Sequence, residues 1–293
     1  MADLQEFQYE LDGYVFGVGC PLEVRKLSPG TRSWRTQDTD APQAAARYFG
    51  KDYGAAGTWA LDMYVNEEDP DVAFDRLETI SEVFAAERLR QVVGATSVLR
   101  YCLPGRTRRV YGRTKRFDAP PDNGVLVGYL PITADFACAD TNFYDDVESS
   151  VEVGLQAAAA GGLRAPLVAP LSTVNRPTQR AGRFVVEGKR PTWITVTFSG
   201  PVTNPKVTIG NLEIQLLGTL PYDMTVTVDP RPWVRSTTYG GAYSGSAAGL
   251  LGPRVNLDAL QLPPGGYEAT FSGIDATGQA RAAVSWRAAY GSL

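Results

Sequence analysis

"NEEDPDVAFDRLETISEVFAAERLRQVV" (residues 66–93) is the stretch whose periodicity is helical throughout. Ala73, Leu77, Ile80 and Phe84 recur at spacings of three and four, which puts them on one face. Asp69 and Pro70 stand in the order of an N-cap and a first helical residue. Glu67, Glu68 and Asp71 suit the positive end of the helix dipole, and Arg88 and Arg90 the negative end. Gly94 offers a left-handed stop. The spacing predicts one helix over about 69–93. Strand signals bracket it. "EFQYEL" lies near the start, "TWALDMYV" (58–65) leads in, "SVLRYCL" (97–103) leads out, and "GVLVGYLPITADFAC" (124–138) is β-branched and aromatic. A sheet packed by one helix is an α+β arrangement.

Further along, the pattern changes. Residues 154–182, "GLQAAAAGGLRAPLVAPLSTVNRPTQRAG", are rich in Ala, Gly and Pro and read as a connecting segment. After them come short strand-like runs divided by Gly, Pro, Asn or Asp: "RFVVEG", "TWITVTFSG", "KVTIG", "LEIQLLG", "MTVTVD", "GYEATFSG" and "AAVSWRAAY". Seven or eight such strands, with no helix among them, predict a β-sandwich. In "WITVTF", Trp193, Thr195 and Thr197 would face one side and Ile194, Val196 and Phe198 the other. The expected layout is mostly β, of the α+β class. It comprises an N-terminal domain over 1–153, a connecting segment over 154–182 and a β-sandwich over 183–293.

Composition narrows the chemistry. The 293 residues contain no histidine, which excludes Ser–His–Asp and Cys–His nucleophiles and histidine metal sites. Cys20, Cys102 and Cys138 are odd in number and far apart, so they read as buried free thiols rather than a disulfide or zinc framework. No apolar run is long enough to span a bilayer, so membrane insertion is not expected. The N-terminus lacks the basic-then-apolar pattern of a secretory signal, which predicts synthesis in a cytoplasm. Charge is unevenly divided. Residues 1–150 carry 16 basic and 24 acidic side chains, net −8; residues 151–293 carry 12 and 8, net +4.

"PGRTRRVYGRTKRF" (104–117) holds six Lys or Arg. In an extended chain its neighbours point to opposite faces, and the surrounding half is acidic. A nucleic-acid grip is therefore not expected. The stretch reads as a solvated or subunit-facing strand pairing with acids of its own domain. "DTNFYDD", with Asp140, Asp145 and Asp146, lacks the spacing and glycine of a calcium loop and reads as a solvated turn.

The residues that follow the arginine-rich strand, "TADFACADTNFYDD" (133–146), resemble the corresponding part of distal tail proteins of long-tailed, non-contractile bacteriophages. "GGLRAPLVAP" (161–170) is similar to that family's connecting segment, and "PTWITVTFSGPVTNPKVTI" (191–209) to the opening strands of its second domain. "LPPGGYEATFSG" (262–273) and "AVSWRAAY" (283–290) are similar to its closing strands. The resemblance implies a minor tail protein of the virion tail tip, assembled in the host bacterial cytoplasm. Its N-terminal domain would be a split-barrel-like β-structure with one long helix that closes a hexameric ring. Its C-terminal domain would be a galectin-like β-sandwich. Implied partners are copies of itself, the tail tube protein, the tape measure protein and tail-tip or receptor-binding proteins. No enzyme activity, cofactor or sequence-specific nucleic acid is implied. A ring that DNA crosses should present an acidic lumen, which the net −8 would allow; a lumen lined by Arg106, Arg108 and Arg109 would contradict it.

A second reading is a carbohydrate-binding or receptor-binding module. "DPRPWVRSTTYGGAYSG" (229–245) supplies Trp233, Tyr239 and Tyr243 as candidate stacking or partner-contact residues, against a plain packing role. An enzyme on a jelly roll would need two carboxylates about 5–10 Å apart, and the eight scattered acids of residues 151–293 show no such pair.

Overall fold

The computed structural model describes residues 3–30, 33–40, 42–43, 45–121, 123–155, 182–275 and 277–293. The expected connecting segment lies, except for its ends, outside these residues. The chain divides into two units: Met1–Asp146 with Ala289–Leu293, and Val147–Ala288.

The first unit is built on an antiparallel sheet. In spatial order its strands are Tyr14–Gly17, Gln8–Leu11, Ser97–Leu103, Arg106–Asp118, Tyr129–Cys138, Thr58–Asn66 and Leu22–Ser28. Period-two alternation sets its core. Trp59, Leu61, Met63 and Val65 of one strand, and Leu130, Ile132, Ala134 and Phe136 of its neighbour, all point inward and are buried. The helix, Pro70–Ala85, buries Ala73, Ile80 and Phe84 against this sheet. Asp69 caps it, accepting from the Asp71 backbone N–H at 3.0 Å.

The helix ends earlier than its periodicity predicts. Ala86 adopts φ 45°, ψ 45°, and a single further turn, Glu87–Arg90, follows. The cause is tertiary. Arg90 donates to the Ala85 carbonyl at 2.6 Å and to the Thr114 carbonyl at 2.6 Å, so one side chain closes the helix end and ties it to the sheet.

The second unit is a two-sheet sandwich. Its seven-stranded sheet runs Ser149–Gly154, Arg281–Trp286, Thr192–Ser199, Met224–Asp229, Ser236–Gly241 and Gly245–Ser246, with Gln261–Leu262 joined to Thr192–Ser199. The five-stranded sheet runs Gly182–Val186, Gly265–Ile274, Val202–Ile209 and Leu212–Gln215, with Thr219–Leu220 on Val202–Ile209. One core is shared by both sheets, and Phe198 of one lies 6.1 Å from Phe271 of the other. Ile194, Val196 and Phe198 enter that core, as their alternation predicts. Gly200 turns the chain from the first sheet to the second; a Cβ there would fall 2.1 Å from the Pro221 carbonyl oxygen. Two short 3₁₀ turns, Ala248–Leu250 and Leu257–Ala259, occur where no helix is expected.

The division differs from the expected 1–153 and 183–293 at both ends. Ser149–Gly154 pairs along its length with Arg281–Trp286, so it belongs to the sandwich. Ala289–Tyr290 pairs instead with Phe143 and Tyr144, so the last residues return to the first unit.

Candidate functional site

Three features of the first unit bear on function: a buried arginine cluster, an exposed arm and a cleft at the arm's root. The cluster answers the question raised by residues 104–117. Arg106–Asp118 is an interior strand, and Arg108 and Arg109 are buried, not solvated. Cross-strand register puts Glu10 opposite Arg100, and Arg100 opposite Arg109, in one row. Arg100 and Arg109, 4% and 5% exposed, converge on Asp146. Arg100 reaches it at 2.5 Å and Arg109 at 2.6 Å, and Arg100 also pairs with Glu10. Burial pushes the Asp146 carboxyl up, but hydrogen bonds from Arg100 and Arg109 outweigh it and hold the group below the usual carboxylate range.

The rest of the stretch is tied down as well. Arg108 stacks 3.9 Å over the Tyr290 ring and donates to the Ser292 carbonyl, and Arg106 donates to the Leu293 carbonyl at 2.9 Å. Arg113 donates to the carbonyls of Ala95 and Val92 beyond the helix. Arg116 pairs with Asp118 at the surface. Arg109 and Arg116 pair with acids of their own unit, as expected, whereas Arg106, Arg108 and Arg113 take backbone oxygens; Arg106, Lys115 and Arg116 are exposed, and the burial of Arg108 and Arg109 is not expected. Nor is "DTNFYDD" a solvated turn. Phe143–Asp145 is a strand, Tyr144 is buried and donates to Asp140, and Asp146 anchors the cluster.

The arm was not singled out by sequence reasoning. Ser33–Arg35 pairs with Tyr53–Ala55, and Thr39–Asp40 with Arg47–Tyr48, making a narrow antiparallel ribbon. Between the ladders, Gly50 lies so close to Gln37 that a Cβ would meet its carbonyl oxygen at 2.3 Å. Trp34, Tyr48, Phe49 and Tyr53 are 55%, 68%, 82% and 45% exposed. Four aromatics on one thin ribbon form a patch of the kind that marks an interaction surface. The available signal was "ARYFGKDYGAAG" (46–57), aromatics set among Gly and charges with no core periodicity.

At the arm's root a cleft of about 420 Å³ opens between Gly30, Trp59, Val110, Cys138, Phe143 and Leu293. Asp140 stands on its wall. Gly30 and Gly57 pinch the root: a Cβ on Gly30 would lie 2.5 Å from the Thr58 backbone. The Cys138 thiol is pushed up to about 12 by burial and the nearby Asp140 charge, so it rests protonated and unreactive at neutral pH. Of the three thiols only Cys102 is buried; Cys20 and Cys138 are half-buried.

The aromatic candidates of the second unit differ in exposure. Trp233 is buried, Tyr239 leans on the sandwich core, and Tyr243 is 48% exposed. The Ser236–Gly241 strand is paired in its sheet and holds Tyr239 against the core.

No family model and no curated relative matches the sequence. Solved structures do match in fold. The Dit protein of phage SPP1, described as a paradigm of the hub adsorption apparatus in phages infecting Gram-positive bacteria, aligns at TM-score 0.58 and 12% identity, covering 97% of this chain and 99% of that one. A chain of the phage P2 baseplate in its activated conformation with Ca aligns at TM-score 0.61 and 12% identity, covering 95% and 97%. The same baseplate with Sr gives 0.59 and 12% over the same shares. The chain therefore shares the mostly β fold of these phage Dit and baseplate chains over 95–97% of its length, with little sequence in common.

Proposed function

We propose that this protein is a structural component of a phage tail tip, a distal tail hub whose first unit closes a ring. The observation that carries the reading is the fold match across nearly the full length of both chains. A partial match could reflect a shared sandwich; a match through both units, in order, is the whole architecture. The exposed aromatic arm supports self-assembly, since a lone chain leaves it uncovered.

On this reading the ring is hexameric and joins tail tube and tape measure proteins on one side to tip or receptor-binding proteins on the other. It is built in the host cytoplasm and resides in the virion. It works by geometry, with neither catalysis nor cofactor. DNA would pass through it without being held. Two features support an acidic channel. Asp71, Asp75, Glu78 and Glu82 are all exposed, at spacings of four, three and four, on the helix face opposite Ala73, Ile80 and Phe84. Arg108 and Arg109 are buried inside the unit and so withdrawn from any channel wall.

Light scattering with electron-microscope class averages tests this. The expected result is an open ring with six times the 31.6 kDa chain mass. A chain that stays monomeric, alone and with its tube partner, would remove the hub reading. It would favour a sugar-binding or receptor-binding sandwich, for which Tyr243 is the exposed one of the three candidates.

A further inference from the structure

We infer that residues 289–293 are a clasp that licenses the first unit for assembly. That unit is finished only when the chain has been made through to this segment and the intervening sandwich has folded, so unfinished chains are kept out of the ring. The licensing rests on the ring reading; the clasp rests on contacts within the first unit alone.

Several kinds of contact seat the segment at once. Ala289 and Tyr290 extend the sheet beside Tyr144 and Phe143. Ala289 is fully buried, and Leu293 packs against the core of the first unit. The Arg108 guanidinium stacks on the Tyr290 ring, and the carbonyls of Ser292 and Leu293 accept from Arg108 and Arg106. Without the clasp, buried Arg108 loses a ring and an acceptor, which a buried cation tolerates poorly. Phe143–Asp145, paired on its other side with Arg108 and Arg109, becomes a sheet edge. Phe143 lies 5.8 Å from Trp59, and Trp59 5.3 Å from Tyr101, so the loss reaches the middle of the core. Gly291, Ser292 and Leu293 also wall the cleft at the arm's root, together with Gly30, Ala55 and Gly57. An unseated clasp therefore leaves the base of the arm without one of its walls.

The sandwich holds the clasp within reach. About 140 residues separate Asp146 from Ala289, and as a free loop they would rarely bring the segment home. Folding of the sandwich shortens that path. Ser149 is paired with Trp286, and Glu148 with Arg287 at 3.3 Å, so the strand entering the second unit and the strand leaving it run side by side. The loop left to close is about eight residues rather than about 140. Contact probability falls roughly as the three-halves power of loop length, so the folded sandwich favours seating on the order of 100-fold. Two ladder pairs on so short a segment are marginal without that help. Seating therefore reads two events together: translation past residue 288 and folding of the second unit.

Hydrogen exchange with mass spectrometry, read beside native mass by light scattering, tests this on the full chain. Tyr290→Pro removes the ring under Arg108 and cannot donate in the ladder. It should speed exchange by about tenfold or more at residues 106–110 and 143–146, leave Thr192–Ser199 of the sandwich as protected as before, and shift the native mass from ring to monomer. Should Tyr290→Pro unfold the sandwich too, Leu293→Ser, at the half-buried end of the clasp, replaces it with the same expectation at lower amplitude. Phe271→Asp, in the sandwich core, should speed exchange at the same first-unit residues; unchanged protection there would overturn the coupling. Co-expressed with the wild type, tagged Tyr290→Pro should be absent from purified rings. If it enters them, or forms rings alone, the licensing is wrong and the ring reading stands. If the wild type never forms rings, the ring reading and the licensing fall together.

Discussion

Residues 104–117 and residues 34–53 invert the usual rule of burial. The first stretch is among the most cationic of the chain, yet Arg108 and Arg109 lie in the interior. The second carries four aromatics, and all of them face outward. Both follow from partners. The arginines are inside because carboxylates and carbonyls of the same unit meet them: Asp146 for Arg109 and the Ser292 carbonyl for Arg108. The aromatics are outside because a two-stranded ribbon has no second layer to cover them. A charge can be buried where its counter-charge is supplied within the fold. An exposed apolar side chain is one that the described residues of the fold leave uncovered.

The contrast is open to attack by mutation. The largest effect is expected at Asp146. Asp146→Ala leaves Arg100 and Arg109 buried with their shared carboxylate gone, and should destabilise the first unit by about 3–5 kcal/mol in denaturant unfolding. A cost under about 1 kcal/mol would mean that the cluster is wetter than its burial implies. Acid should reach the same group more gradually. The Asp146 carboxyl is held below its unfolded value, so its contribution is fully present above that value, about 3.9, and is lost as pH falls through the lower folded pKa. Thermal melts between pH 5 and pH 2 should show the wild type losing stability, and Asp146→Asn losing less of it.

Within the same strand, Arg116→Ala removes only an exposed pair with Asp118 and should cost less than about 1 kcal/mol. A result equal to that of Asp146→Ala would show that strand position, not burial, sets the scale. The smallest effect on folding is expected at Phe49→Ala, within about 0.5 kcal/mol, because the ring is 82% exposed. The contrast between the two stretches holds if that variant folds normally and assembles poorly.

The sequence by itself determined the elements whose side chains repeat with the period of their own backbone. The helix start at Asp69 and Pro70, its buried stripe, and the inward set Ile194, Val196 and Phe198 are local matters of cap chemistry and alternation, and they appear where the pattern predicts. Tertiary structure decided what depends on residues far apart in the chain. The helix stops at Ala86 because Arg90 finds the Thr114 carbonyl. Ala289–Leu293 leaves the sandwich because Ala289 and Tyr290 pair with Tyr144 and Phe143. Arg100 is buried because Glu10 and Asp146, 90 and 46 residues away, arrive beside it. The candidate site was hidden for the same reason. An arm's exposure and a cleft's volume belong to no single segment; they exist only once the sheet has brought Gly30, Trp59, Cys138 and Leu293 together.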